Sequence, residues 1–440
     1  MFKIEPISLR FVLVIGIIVA LMIPLLFVLL LVQERKMYHD QALADVAQSW
    51  GSNQAIIGPL VTLRLRDENS TSNRVVNKSD EWVQMPHTLD LTLESTHDMR
   101  KRGIYHIPVF TASLKVHAEF LPLDREQLEG EIDQVFMTVG ISDSRGIRKL
   151  VITWDGMELD DLVSTHLRGI GSVVQVELAA DDLQEISTVT IEADLRGTDR
   201  FSMLPVGDAT EVSMTSDWPD PSFDGRFLPD ERRVDADGFS ANWSTHALSR
   251  GFPSLVNVDD LERVLHNIEM GSAQPIDLGF TILNLNTPYR ATERSIKYGA
   301  LFIVMTMIGI VCVEMVSRAS FHIIQYGVVG AGLVLFFLTL LSLSEHVGFS
   351  TGYFLAAFLL ATMNVGYLWF VSRKASVAIA MASVLSILYV ALYFVLQLNE
   401  YALLVGTILL LILLGSVMYA TRSLSRGGVH PSGTSVDSVS

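Results

Sequence analysis

The sequence predicts a multi-pass α-helical membrane protein with a large, mostly antiparallel β domain, sandwich-like, inserted after the first transmembrane helix. Three observations predict it. Six long apolar runs lie at the two ends of the 440-residue chain. A helix rising about 1.5 Å per residue needs about 20 apolar residues to cross roughly 30 Å of hydrocarbon, where every backbone polar group must be bonded within the segment. Between the runs, residues 33–297 are polar and acidic, with 25 basic against 43 acidic side chains and a net charge of −18. That stretch alternates apolar and polar residues with period two, the pattern of half-buried strands.

The first run, 11–32, carries no charge and follows a ten-residue N-terminus holding Lys3 and Arg10. A cleavable signal has an apolar region of about 7–15 residues with small residues close behind it. Here the run is about 22 residues long and Ala42-Leu43-Ala44 lies some ten residues beyond it, so it reads as a retained signal anchor rather than a cleaved peptide. Five further runs, at 298–316, 327–343, 349–371, 375–396 and 402–420, occupy residues 298–421. Only a short polar knot, Ser344-Glu345-His346, separates 327–343 from 349–371, which predicts a tight helical hairpin.

Short loops rich in Lys and Arg stay on the cytoplasmic side. With both termini inside, the cytoplasmic ends carry Lys3, Arg10, Arg318, Arg373, Lys374, Arg422 and Arg426, while the short external loops carry Glu345 and Glu400 and no base. Arg35, Lys36, Arg290, Arg294 and Lys297 oppose this arrangement, but they flank a large translocated domain, where the rule has little force. The expected arrangement is therefore six spans with both termini inside and residues 33–297 on the outer side of the membrane. Residues 422–440, small and polar, read as a disordered cytoplasmic tail.

Within the domain, alternation predicts strands at 60–65, 87–94, 113–120, 134–142, 149–153, 172–178, 188–194, 211–216 and 239–243, in a sandwich of one or two lobes. Segments 182–185 and 259–269 read as helices, the second with Val264, Leu265 and Ile268 on one side and Asp259 and Asp260 at its cap. So acidic a domain repels phosphate backbones, which excludes nucleic acid as a partner. The single cysteine, Cys312, lies in an apolar run and leaves the domain without disulfides.

Asp217-Trp218-Pro219-Asp220-Pro221-Ser222-Phe223 is the most unusual segment. Two prolines hold it extended, and Trp218 and Phe223 either close a sandwich rim or grip a ligand. Asp217, Asp220, Asp224 and Asp230 supply oxygens of the kind calcium takes, in a spacing unlike an EF-hand loop. His87, His97, His106 and His117 fall on neighbouring strands, but alternation turns them to solvent rather than toward a shared zinc ion. Neither a nucleophile elbow nor a phosphate-binding loop is present, so no catalytic, cofactor or metal residues are assigned. In the apolar runs Glu314, near Arg318, is either an interface anchor or a relay, and Asn364 joins helices by hydrogen bonding. Glu345 and His346 mark the turn of the hairpin.

The chain resembles the CreD family of bacterial inner membrane proteins over nearly its whole length. The resemblance runs through Trp50, Gly58-Pro59, Arg102-Gly103-Ile104-Tyr105, Pro108-Val109, Val139-Gly140-Ile141-Ser142-Asp143 and Arg145-Gly146-Ile147. It continues through Glu211-Val212-Ser213, Ser216-Asp217-Trp218-Pro219, Pro221-Ser222-Phe223, Gly225, Phe227-Leu228-Pro229, Gly238-Phe239-Ser240-Ala241 and Trp243. It ends in Arg294-Ser295-Ile296-Lys297-Tyr298-Gly299, Leu341-Ser342-Leu343-Ser344-Glu345-His346 and Gly348-Phe349. The resemblance implies an inner membrane protein of Gram-negative bacteria tied to envelope integrity and stress. It also implies control by the Cre two-component system and links to colicin tolerance and β-lactam response, with no established catalytic residues.

The expected function is thus non-enzymatic support of the cell envelope through the periplasmic domain, with the lipid bilayer, envelope proteins or lipids as partners. The alternative is a transporter or carrier of lipid or envelope material through the bundle, using Glu314 and Asn364. A membrane-tethered hydrolase has no motif behind it.

Overall fold

The computed structural model describes residues 6–66, 81–128, 130–167, 170–269, 277–282, 288–317, 321–397, and residues 407, 408, 411, 415 and 418. It divides into two units: residues 39–284, and residues 1–38 together with 285–440.

Helix α1 (Pro6–Trp50) belongs to both units, its residues from His39 onward being part of the β unit. Val12, Ile15, Val19, Ile23, Leu26, Phe27 and Leu30 along its first half are exposed. An apolar helix with such a surface is what a lipid environment accommodates. The helical unit continues with α4 (Pro288–Lys297), α5 (Gly299–Ser317), α6 (Ile323–Val347), α7 (Phe349–Ser372) and α8 (Ala375–Gln397), while α2 (Ala247–Arg250) and α3 (Val258–Glu269) belong to the β unit. Among the described residues four helices are long and apolar enough to cross a membrane, or five if α4 and α5, bent by 48° at their junction, count as one span. The sixth predicted run, 402–420, lies largely outside the described residues; Thr407, Ile408, Leu411, Gly415 and Met418 are helical. The predicted tail, 422–440, lies wholly outside them.

The predicted hairpin is present, and tighter than expected. Ser344, Glu345 and His346 are the last turn of α6, and the chain reverses at the single residue Gly348, which caps both α6 and α7 at φ +79°. Only glycine adopts such a backbone without strain. The α7–α8 break falls at Arg373, in the left-handed region, whose N–H donates to Trp369 O at 2.8 Å.

Among the described residues the β unit holds seventeen strands: β1 (Gln54–Leu65), β2 (Glu81–Gln84), β3 (Thr88–Arg102), β4 (Tyr105–Phe120), β5 (Ile132–Ile141), β6 (Ile147–Trp154), β7 (Met157–Glu158), β8 (Val163–Leu167), β9 (Gly171–Leu178), β10 (Ser187–Thr198), β11 (Arg200–Leu204), β12 (Ala209–Ser216), β13 (Pro221–Gly225), β14 (Glu231–Asp235), β15 (Gly238–His246), β16 (Leu255–Asn257) and β17 (Leu278–Ile282). One sheet runs β13-β17-β11-β1-β5-β9-β8, with β2 also on β1 and β16 on β2; the other runs β14-β15-β12-β3-β4-β10-β6-β7. Pairing is antiparallel except β1 with β11 and β3 with β12. Both sheets feed one core, Leu60, Leu63 and Val135 from the first meeting Leu91, Val116 and Ile191 from the second in a single cluster. The domain is therefore one sandwich rather than two lobes.

Alternation survives where one face is wet: on β3, Leu89, Leu91 and Leu93 are buried while Asp90, Thr92 and Glu94 are exposed. On β1, residues 60–63 are buried on both faces, and Thr62 satisfies its hydroxyl against Thr138 Oγ1 at 2.8 Å. Two helix expectations need correction. Segment 182–185 is only the end of a 3-10 turn, Ala180–Leu183, because Ser187 Oγ takes the Asp182 carbonyl that a longer helix would need. The cap of α3 is Asn257, whose Oδ1 accepts from Asp259 N at 3.0 Å; Asp259 and Asp260 sit in the first turn, where the helix dipole favours them. Val264 packs toward the core, while the side chains of Leu265 and Ile268 lie outside the described set.

Candidate functional site

The Asp217–Phe223 segment closes one edge of the sandwich. Trp218 is half-buried; its Nε1 donates to Asp220 O at 2.9 Å, and its ring stands edge-on to His97 at 4.9 Å. Asp217 Oδ1 accepts from the His97 backbone N at 2.9 Å and lies 2.7 Å from its Nδ1. Pro221 begins β13 opposite Ile282, and Pro219 stands in the half-buried turn before it. Phe223 meets Phe239 and Trp243, whose Nε1 donates to Phe227 O at 3.0 Å. The chain can pass here because Gly238 has no side chain: a Cβ would lie 2.0 Å from Ser216 O. Both aromatics pack into the rim.

The aspartates of this region do not converge. Asp217 serves His97, Asp224 takes Arg200 and Thr281, and Asp230 accepts from Ser244 N. The four histidines also go separate ways: His97 to Asp217, His87 to Asp208, His117 to Thr190, with His106 exposed. Among the described residues no three His, Cys, Asp or Glu side chains are grouped as metal ligands.

A second site gathers the residues of the N-terminal family strings where α1 meets the sheets. Val46, Leu43 and Trp50 pack against Tyr105, Ile107 and Val109. Trp50 Nε1 donates to Phe110 O at 3.3 Å, and the guanidinium groups of Arg196 and Arg100 lie over its ring. Arg102 reaches Asp45 at 3.2 Å. Beside them, buried Asp143 takes Arg145 Nε and Nη2, both at 2.8 Å, and Ser52 N and Oγ at 2.9 and 2.7 Å. This grip by Arg145 holds the Asp143 carboxyl well below the usual carboxylate range, against the opposing effect of burial. Gly51, at φ +132°, and Gly146 allow the chains to close on Arg196 O, which a Cβ on either would approach within 2.5 and 2.3 Å.

In the helical unit, Glu314 accepts from Tyr326 Oη and from Phe321 N, tying the end of α5 across the connection to α6. Its neighbour Arg318 lies outside the described residues. Glu345 accepts from Tyr289 Oη at 3.1 Å, joining the end of α6 to the start of α4, while His346 is exposed. Asn364, 2% exposed, was expected to bond across helices. Instead its amide nitrogen has no hydrogen-bond partner among the described residues, and the side chain packs on Gly332, where a Cβ would lie 2.7 Å from Oδ1. Close backbone approach at a small residue takes the place of the hydrogen bond.

A further polar cluster escapes sequence reasoning. The Arg250 guanidinium, 2% exposed, donates to Val206 O, to Phe252 O at 3.0 Å, to Asp208 Oδ1 at 2.8 Å and to Ser254 Oγ at 2.7 Å. Ser254 Oγ donates to Asp208 Oδ1 at 2.5 Å, and His87 Nδ1 lies 3.3 Å from Oδ2. Burial alone would raise the Asp208 carboxyl; Ser254, His87 and Arg250 together hold it below its ordinary value. Ser254 bonds the aspartate and not the imidazole, so the trio is not arranged as a nucleophile, base and orienting acid.

Fold and sites together define a helical membrane protein that carries a large β sandwich after its first apolar helix. The chain belongs to the CreD family, whose model, Inner membrane protein CreD, matches residues 6–425. It is 27% identical over 420 residues to Inner membrane protein CreD of Escherichia coli strain K12, covering 93% of this chain and 91% of that one. Solved structures of yeast LTA4 hydrolase, bound to bestatin and native, match 36% of this chain at 12% and 10% identity. The chain spans about a quarter (26%) of that enzyme's length, with TM-scores of 0.20 and 0.18, too low to bear on fold or chemistry.

Proposed function

We propose that this inner membrane protein is non-enzymatic and supports the integrity and stress response of the cell envelope through its β domain, held in the periplasm by helices whose outer termini are cytoplasmic. One observation carries the reading. The carboxylates Glu314 and Glu345 of the helical unit are committed to internal ties, with Tyr326 and Tyr289, whereas the β domain is the part built with an extensive water-facing surface and a firm root on α1 at Trp50. Acidic strand faces such as Asp90, Glu94 and Glu119 keep that surface soluble and steer it away from anionic lipid.

The test is complementation of an envelope defect, detergent or β-lactam sensitivity, in a strain lacking its own copy, with protein level monitored. A chain without residues 40–290 should fail to restore resistance, and Glu314→Gln should restore it. The opposite pattern would move the function into the helical bundle and favour transport. Protease added to spheroplasts should digest the β domain, which checks the orientation separately.

A further inference from the structure

Four loop segments at one end of the sandwich line a half-open cavity of about 350 Å³. They are the link from β2 to β3, the turn after β4, the approach to β12 and the approach to β16. Its apolar wall comes from Met85, Leu121, Leu123 and Leu255. Its size is that of a site for a small organic group.

The polar lining is one-sided. The amide and hydroxyl donor atoms each have a partner. Gln84 Nε2 donates to Leu121 O at 2.9 Å, Gln127 Nε2 to Asp124 Oδ2 at 2.8 Å, and Ser254 Oγ to Asp208. The four donor contacts of Arg250, beneath the cavity, go to Val206, Phe252, Asp208 and Ser254. The main chain adds little, since Met85, His87, Leu123 and Asp208 donate to carbonyls, and Pro122 and Pro253 have no N–H. What remains is acceptors. Gln84 is 7% exposed, and its Oε1 has no hydrogen-bond partner among the described residues. His87 Nδ1 lies 3.3 Å from Asp208 Oδ2, and its imidazole borders the cavity. Asp124 adds a carboxylate at the rim, whereas the charge of Asp208 is already balanced by Arg250.

We infer that this cavity binds an ammonium or guanidinium group carried on an apolar body. Such a group brings only donors, matches the acceptors of Gln84 and Asp124, and lays its hydrocarbon on the leucines. A buried acceptor without a partner is unfavourable, so a ligand that satisfies Gln84 Oε1 is favoured over one that cannot. The inference takes from the proposed function only that the β domain binds something. It is read from the purified chain, so a negative result here leaves the envelope test standing.

The experiment titrates the full-length protein in lipid nanodiscs with benzylamine and with benzyl alcohol, its neutral counterpart, following saturation-transfer NMR. Benzylamine should bind at least tenfold more tightly, and Gln84→Met with Asp124→Asn should abolish most of that advantage. Asp124→Asn alone, at an exposed side chain, gives an independent reading should the double variant fold poorly, and should weaken benzylamine and leave benzyl alcohol unchanged. A Leu-Lys-Leu peptide tighter than benzylamine would identify a basic side chain of a partner as the source; equal or weaker binding would identify a free amine. Equal affinity for amine and alcohol, no saturable binding of either, or unchanged binding in the variants would overturn the inference.

Discussion

The guanidinium carbon of Arg196 lies 4.1 Å from the centroid of the Trp50 indole, and that of Arg100 lies 4.3 Å from the same ring. One side chain at the last residue of α1 thereby engages β10 and β3, while its Nε1 reaches a carbonyl of β4. Each cation over an indole is worth about 0.5–1 kcal/mol, in addition to the packing. Trp50→Ala should destabilise the β domain by about 2–4 kcal/mol, and Trp50→Phe by less than half of that. Thermal unfolding and limited proteolysis of the full chain in nanodiscs would measure both. Equal losses for the two variants would show that the ring face is unimportant.

Asp143 is the second fastening of that root. Its folded pKa is lowered, so its contribution is present above the unfolded carboxyl value near 3.9 and disappears as pH falls through the folded value below it. Asp143→Asn should cost roughly 2–3 kcal/mol at pH 7, as expected when a charged acceptor of several bonds is removed. The gap between parent and variant should stay constant from about pH 8 to pH 5 and narrow progressively below about pH 4. Melting temperatures at pH 7, 5 and 3 decide the matter.

Asp199 behaves in the opposite sense. Burial raises its pKa, the neighbouring Asp224 adds to this, and Arg200 only partly offsets it. A raised carboxyl contributes stability while protonated, below the unfolded value, and loses it as pH rises through the folded one. Asp199→Asn should therefore melt slightly higher than the parent at pH 7, by about 1 °C given partial exposure, and the advantage should fade on acidification. Asparagine tolerates the left-handed backbone, φ +62°, that this position adopts. A variant that melts lower at neutral pH would show that the Asp199 carboxylate is favourable.

These sites differ in how far the chain alone discloses them. Strands β3 and β4 were legible because Leu89, Leu91 and Leu93, and Leu114, Val116 and Ala118, alternate with polar residues that stay in water. Strand β13 was not, since Pro, Asp and Gly are poor strand formers and Pro-Ser-Phe-Asp-Gly becomes a strand only by pairing with β17, more than fifty residues away. The Trp218 rim could be singled out by composition, but its partner His97 is set by the parallel register of β12 on β3. The same register places Ala209 beside Thr88 and so carries Asp208 to His87. The Arg250 cluster thus depends on long-range pairing that no local spacing encodes. The helices were the most legible part, because hydrocarbon imposes both their length and their composition.

The contact of Asn364 with Gly332 tests the helical unit in the same manner. Asn364 Nδ2 has no partner among the described residues, so Asn364→Ala forfeits no hydrogen bond from that atom and should cost less than about 1 kcal/mol. Gly332→Ala places a methyl group 2.7 Å from Oδ1 and 3.0 Å from Nδ2, which forces α6 and α7 apart and should cost about 1–3 kcal/mol. Because both effects arise at one contact, the double variant should be more stable than Gly332→Ala alone, by a coupling of about 1 kcal/mol or more. Thermal denaturation of the four chains in the same detergent gives that coupling directly. Strict additivity would mean that the two helices accommodate the methyl elsewhere, and that Gly332 does not set their separation.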